Sequence, residues 1–169
     1  MPRLAKNLTG GSIQTSPLQG TKIPIALESE ACVLGLALRE PDLAELVCSE
    51  LDSTDFYSGT NQAVFLAVKG LLDDSLTVNE VSVAERANRP REAITALLEA
   101  SAGVTQNQAK SVVSELRRIA ELRKVYVACQ TTFNGIGKDS KLEEVIDGLE
   151  KQLYGARTEI GRASCRERV

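Results

Sequence analysis

The segment Gly135–Ser140 contains the residue types of a phosphate-binding loop. In a P-loop, G-x-x-x-x-G-K-[ST] joins a strand to a helix, so that backbone N–H groups surround the phosphates. Here Asp139 follows Lys138, no glycine lies five residues before Gly137, and the preceding segment has a helical pattern. The carboxylate of Asp139 would also repel a phosphate. We therefore interpret this segment as a turn between two helices.

The sequence contains few of the residue patterns that other kinds of catalysis or metal binding require. The chain contains no histidine, which excludes Ser–His and Cys–His nucleophile pairs. Its four cysteines lack CxxC spacing, and we interpret Cys32, Cys48 and Cys129 as small buried hydrophobic residues. Acid–base catalysis would require the fold to bring scattered carboxylates together. Those considered are Glu28, Glu30, Asp52, Asp55, Asp73 and Asp74. We expect no catalytic, cofactor-binding or metal-binding residue.

The charge pattern also gives no sign of a nucleic-acid surface. The chain carries a formal net charge of -3, and its basic run is interleaved with Glu115 and Glu121. That run comprises Arg117, Arg118, Arg123 and Lys124. We expect a solvated or salt-bridged face, with Arg117 and Glu121 paired across one helical turn. No apolar run approaches the ~18 residues of a membrane span, and no signal peptide is evident, so we expect a cytoplasmic protein.

The elements that would position these residues are all helices. Apolar residues recur at three- and four-residue spacing, and no segment alternates like a strand. Five short helices are expected in a compact head, with Pro41 ending the first and Pro90 in the first turn of the fifth. Helix starts are also predicted by three capping boxes. These are Thr77–Glu80, Thr105–Gln108 and Ser140–Glu143.

Two longer amphipathic helices follow the head, over about residues 106–133 and 141–156. The short glycine-containing turn between them predicts an αα-hairpin. A hairpin cannot bury all its apolar surface by itself, so we expect self-association through it. The interface residues predicted from periodicity are Val112, Leu116, Ile119, Val127, Val145, Leu149 and Leu153.

The domain organisation follows from these patterns. Residues 1–22 lack an apolar face and are expected to be disordered; residues 23–104 form the head and 105–158 the hairpin. Residues 160–169 match the conceptual translation of a common short-read sequencing adapter. We interpret residues 159–169 as non-native and expect the natural protein to continue beyond Thr158.

Several segments resemble the N-terminal domain of DnaB-type replicative helicases, over about residues 23–158. The opening Pro24–Gly35 is similar to that family's proline, acidic "EAE" step and Val-Leu-Gly. Asp55-Phe56-Tyr57 resembles its "dFy" loop. The remaining segments are Asn61–Phe65, Ser75–Val83, Leu116–Tyr126, Ile146-Asp147 and Glu150–Tyr154. The chain departs from the family at three positions, with Ser29 for Ala, Asn61 for His and Asn79 for Asp.

The resemblance implies a non-catalytic assembly domain. Such domains form a collar on a hexameric ring as a trimer of dimers, and help to recruit primase and, in some systems, a helicase loader. ATP, Mg²⁺ and DNA would then be bound by the missing C-terminal motor, not by this segment. Two alternatives remain open: a stand-alone helical adaptor without a motor, and an enzyme that uses the scattered carboxylates.

Overall fold

The computed structural model describes residues 22–137 and 141–164. The predictions for residues 1–21, for a cap at Ser140 and for residues 165–169 lie outside this part. Within it the chain forms seven α-helices and no strand. The helices are α1 Leu27–Arg39, α2 Pro41–Glu50, α3 Gly59–Asp73, α4 Glu80–Ala87, α5 Arg91–Ala100, α6 Gln106–Gly135 and α7 Leu142–Ser164, with a short 3₁₀ turn at Ser53–Asp55. The all-α fold of a head followed by a hairpin is confirmed.

Helix α1 lies at the centre of the head. It is apolar on nearly every side and packs against α2, α3, α5 and α6, as expected for a helix without a solvated face. Gly35 lies where α1 crosses α5. A Cβ added there would overlap the backbone carbonyl of Leu97 and lie 2.8 Å from Cβ of Ser101. The absence of a side chain at this position allows the two helices to approach closely.

Helix ends agree with the sequence predictions at two points and differ at two. Pro41 begins α2, and the Thr105 N–H donates to Oε1 of Gln108 over 3.0 Å at the start of α6. The expected Thr77 cap is wrong, because Asn79 caps α4 by accepting the N–H of Val81 and Ser82. Asparagine directly before the helix is a preferred cap. Pro90 likewise precedes α5 as its capping residue and does not enter its first turn.

The two long helices form the expected hairpin, but they contact the rest of the chain unequally. Helix α6 packs on α1, α2 and the 3₁₀ turn, whereas α7 packs chiefly on α6. Helix α7 continues to Ser164, past the predicted end near Ala156, and it contains no proline that would interrupt it. The helix does not test the origin of residues 159–169, which stays a prediction.

Candidate assembly surface on the helical hairpin

The predicted interface residues on α6 occupy two different environments. Leu116 is completely buried in the core of the head, and Val112 is half-buried against the same core. The prediction of Leu116 as an interface contact is therefore corrected: it packs within its own chain, because the first half of α6 lies on the head. Ile119 is half-buried, and Val127, farther along α6, is exposed.

The predicted residues on α7 lie in a third environment. Val145, Leu149 and Leu153 are half-buried on the helix that packs against α6. They contribute to the packing of α7 on α6, and part of each side chain remains exposed to solvent. Their contribution to contacts between copies stays a prediction.

A more exposed row of apolar side chains lies on the second half of α6. We call it the apolar stripe, and it consists of Leu122, Val125, Cys129, Phe133 and Ile136. The four members other than the half-buried Cys129 are between 39% and 48% exposed. The spacing of three and four residues places Leu122, Val125, Cys129 and Phe133 on one side of the helix, and Ile136 follows its last residue. The sequence analysis did not identify this row, although its three- and four-residue spacing is visible in the sequence.

The second half of α6 also carries no charge. Residues 125–137 contain no Asp, Glu, Lys or Arg, whereas residues 106–124 contain seven charged residues. The uncharged half is the half that the head does not cover. Depletion of charge from exposed surface is typical of the core of a protein–protein interface.

The seam between α6 and α7 contains a shallow groove. It is lined by Thr132 and Gly135 of α6 and by Glu144, Val145, Gly148 and Gln152 of α7. Val125 and Cys129 of the apolar stripe lie within about 60° of Thr132 around the helix, so the stripe flanks this groove. Leu142 and Ile146 of α7 are exposed apolar side chains as well, and we call these two residues together with the apolar stripe the apolar face.

Glu30, from the acidic step near the start of α1, lies completely buried at the base of the hairpin. Its carboxylate accepts hydrogen bonds from the backbone N–H of Tyr57 at 2.6 Å and of Ser58 at 3.2 Å. The amide of Asn61 donates a third at 2.9 Å. These groups lie at the start of α3, where the helix dipole also favours a negative charge. Asn61, which stands where the resemblance predicts histidine, thus donates to Glu30.

Arg123 connects the hairpin to this carboxylate. The residue is 9% exposed, and its Nη2 lies 3.6 Å from Oε1 of Glu30, too far for a hydrogen bond. Its other nitrogens donate to the carbonyl oxygens of Pro24 and Asp55. The guanidinium carbon lies 5.3 Å from the centre of the Tyr57 ring. Segments from three parts of the sequence resemblance therefore meet at this point.

The rest of the basic run is salt-bridged, as predicted. Arg117 lies 3.5 Å from Glu121 and 3.1 Å from Glu50, and Lys124 lies 3.1 Å from Asp55. Exposed Arg118 pairs with Glu115 at 2.7 Å. This hydrogen bond lowers the pKa of the Glu115 carboxyl and raises the pKa of Arg118.

Other titratable groups show structural roles. Burial raises the pKa of the Cys32 thiol and raises that of Cys48 to about 11, so both remain protonated at neutral pH. In the part of the chain that the structure describes, no cluster of three acidic, Cys or His side chains could hold a metal ion. None of the helices there is long and apolar enough to cross a membrane.

Comparisons with known proteins identify the family to which this fold belongs. The family model described as the DnaB-like helicase N-terminal domain matches residues 22–132, which is the head and most of α6. The chain is similar in structure to the N-terminal domain of the DnaB helicase from Mycobacterium tuberculosis, with a TM-score of 0.70 and 23% identity. That match covers 79% of this chain and 99% of the other. No curated protein matches the sequence. The chain belongs to the DnaB-like helicase N-terminal domain family.

Proposed function

We propose that this chain is the assembly domain of a replicative DNA helicase and pairs with copies of itself through the apolar face of its hairpin. The observation that carries the proposal is the uncharged, exposed second half of α6, with its stripe of apolar side chains. Isolated exposed apolar residues are ordinary, but a contiguous uncharged patch is typical of an interaction site.

In this proposal the paired domains form the collar of a hexameric ring, as a trimer of dimers. Family membership supports this role, and it also supports docking of primase or of a helicase loader on the collar. The complete protein would then be a cytoplasmic ATP-dependent DNA helicase. Its ATP, Mg²⁺ and DNA would be bound by a C-terminal motor domain, and this domain itself would perform no catalysis.

The proposal is tested by placing a charge on the apolar face. Phe133→Asp is expected to raise the dissociation constant of the dimer at least about 100-fold, since a carboxylate would lose its hydration in the contact. Phe133 is 48% exposed in the single chain, so we expect little change in thermal stability. Sedimentation velocity measures the association, and circular dichroism measures the folding.

Thr131→Asp is the matched control. It introduces the same charge on the same helix at an exposed position about 200° around from Phe133. The control should associate like the unmodified chain. Equal association of the Phe133 variant and the unmodified chain would contradict the proposal, as would equal loss in both variants.

A stand-alone adaptor would have the same hairpin but no motor in its gene. The two functions are distinguished by the reading frame beyond Thr158. The helicase proposal requires a G-x-x-x-x-G-K-[ST] motif downstream, because an ATPase motor of this type holds phosphates with that loop. A complete gene without this motif would support the adaptor.

A further inference from the structure

The chain approaches α1 through residues 22–26, which form no regular secondary structure and which we call the N-terminal arm. Within the arm, Ile23 and Pro24 are half-buried, whereas Ile25 is 46% exposed. The carbonyl oxygen of Pro24 accepts the Nε–H of Arg123 at 3.1 Å. This hydrogen bond joins the arm to α6 at the base of the hairpin.

The guanidinium of Arg123 divides one of its edges between two acceptors. An N–H of Nε and an N–H of Nη2 point in the same direction along that edge, and together they can bind a carboxylate with two parallel hydrogen bonds. Here Nε donates to Pro24, while Nη2 lies 3.6 Å from Oε1 of Glu30. The carbonyl oxygen of the arm therefore takes the N–H that a second hydrogen bond to the carboxylate would use.

This arrangement leaves a buried donor unsatisfied. Within the described part of the chain, Nη2 of Arg123 has no hydrogen-bond partner, although it is fully buried. A buried charged donor without an acceptor is costly. Oε1 of Glu30 accepts the N–H of Tyr57, and a carboxylate oxygen can accept a second hydrogen bond. A shift of less than about 1 Å would bring Nη2 and Oε1 to the distance of a charge-assisted hydrogen bond.

The hydrogen bond to the arm opposes that shift. The guanidinium is planar and rigid, so its nitrogens move together. Its bonds to the carbonyl oxygens of Pro24 and Asp55, at 3.1 Å and 3.3 Å, are already at the long end of the range for N–H donors. For the whole edge to face Glu30, Nε must leave the carbonyl oxygen of Pro24.

We propose that the N-terminal arm is a releasable strap, and that Arg123 exchanges the Pro24 carbonyl for the Glu30 carboxylate when the arm leaves α6. The two states differ in the acceptor that Arg123 uses, and such an exchange between two discrete arrangements is the basis of a two-state switch. A molecule that binds the released arm would shift the equilibrium toward that state. The inference does not depend on the pairing of copies.

Tryptic cleavage after Lys22 in the full chain measures release of the arm. Lys22 is exposed, but a protease must also extend the residues that follow, so the half-buried Ile23 and Pro24 have to leave the surface first. Arg123→Lys keeps the positive charge and loses Nε. We expect cleavage after Lys22 to be at least about tenfold faster in this variant, because it loses a hydrogen bond from a charged donor. Mass spectrometry of timed samples measures the rate.

Arg118→Lys is the matched control. Arg118 lies on the same helix, but it is exposed and pairs with exposed Glu115. This variant should be cleaved after Lys22 at the rate of the unmodified chain. Equal rates in the unmodified chain and in Arg123→Lys would overturn the proposal, as would equal acceleration in both variants.

The exchange of acceptors is tested with Arg123 in place, so this measurement also decides the matter if Arg123→Lys does not fold. Ile23→Gly removes a half-buried side chain from the arm and should release it, whereas Ile25→Gly adds the same backbone freedom at an exposed position. Nitrogen-15 NMR observes the Nε–H of Arg123. We expect a downfield shift and continued protection from exchange with water in Ile23→Gly, because the carboxylate is the stronger acceptor. The signal should stay in place in Ile25→Gly.

The NMR outcomes separate an exchange of acceptors from simple loss of the arm. An Nε–H signal that is unchanged in Ile23→Gly, or that is lost through exchange with water, would overturn the proposed switch. A shifted and protected signal, together with faster cleavage of Arg123→Lys, would establish it. Neither measurement depends on association, so failure of the switch would leave the assembly role intact.

Discussion

Replacing Gly35 with alanine is expected to lower the free energy of unfolding by about 3 kcal/mol or more. The added Cβ would overlap the carbonyl of Leu97 and approach Cβ of Ser101. Neither obstacle can be relieved by rotating a flexible side chain, so α1 and α5 must move apart. That displacement would open the central packing of the head. Urea unfolding followed by far-UV circular dichroism measures the change.

Gly148→Ala is the control for this prediction. Gly148 lies in α7, and nothing would lie within 4 Å of its added Cβ. Alanine favours a helix by up to about 1 kcal/mol relative to glycine, so this variant should be slightly more stable than the unmodified chain. If Gly35→Ala unfolds within 0.5 kcal/mol of the unmodified chain, on the order of an ordinary surface substitution, the close α1–α5 crossing is wrong.

Glu30→Gln is expected to destabilise the domain by about 3–5 kcal/mol, the cost of removing one partner from a buried ion pair. The substitution leaves the charge of Arg123 uncompensated at a site where that residue is 9% exposed. It also places an amide where the carboxylate accepts three N–H donors, so one hydrogen bond becomes a contact between donors. Chemical denaturation measures the loss.

Glu115→Gln tests whether burial or distance between the charges determines the loss of stability. Glu115 lies only 2.7 Å from Arg118, closer than the 3.6 Å between Arg123 and Glu30, but both members of the closer pair are exposed. Exposed pairs contribute about 0–1 kcal/mol, so this variant should remain nearly as stable as the unmodified chain.

A double variant tests whether Glu30 and Arg123 act together. Combining Glu30→Gln with Arg123→Met should lower the free energy of unfolding by less than the sum of the two single changes. Additive losses would show that the two residues act independently.

Much of the fold could be predicted from local signals. Apolar periodicity indicated the helices, and Pro41 marked the boundary between α1 and α2. The start of α4 was predicted wrongly because Thr77 and Asn79 both suit a cap. The local signal that decides between them is Ser82, three residues after Asn79, whose hydroxyl accepts the N–H of Asn79 and completes a capping box.

The candidate surface was only partly predictable. The apolar pattern of α6 continues without a break from the half that the head covers to the half that it leaves exposed. Periodicity alone therefore placed Leu116 at an interface, although it lies in the core. The change in charge after Lys124 was visible in the sequence and separates the two halves.

The buried charge of Arg123 was not predictable in this way. Its neighbours in the sequence make it one member of a solvated basic run. Its partner Glu30 comes from the other end of the domain, and only the packing of α6 on α1 brings the two together.

Sedimentation velocity over a range of concentrations, on the full chain and on a chain ending at Thr158, tests the central claim most directly. Association through the uncharged half of α6 predicts that both forms shift from monomer to dimer, or to a larger species, as the concentration rises. Both forms should associate because the apolar stripe is present in each. A single monomeric species that persists to high micromolar concentration in both chains would contradict the account.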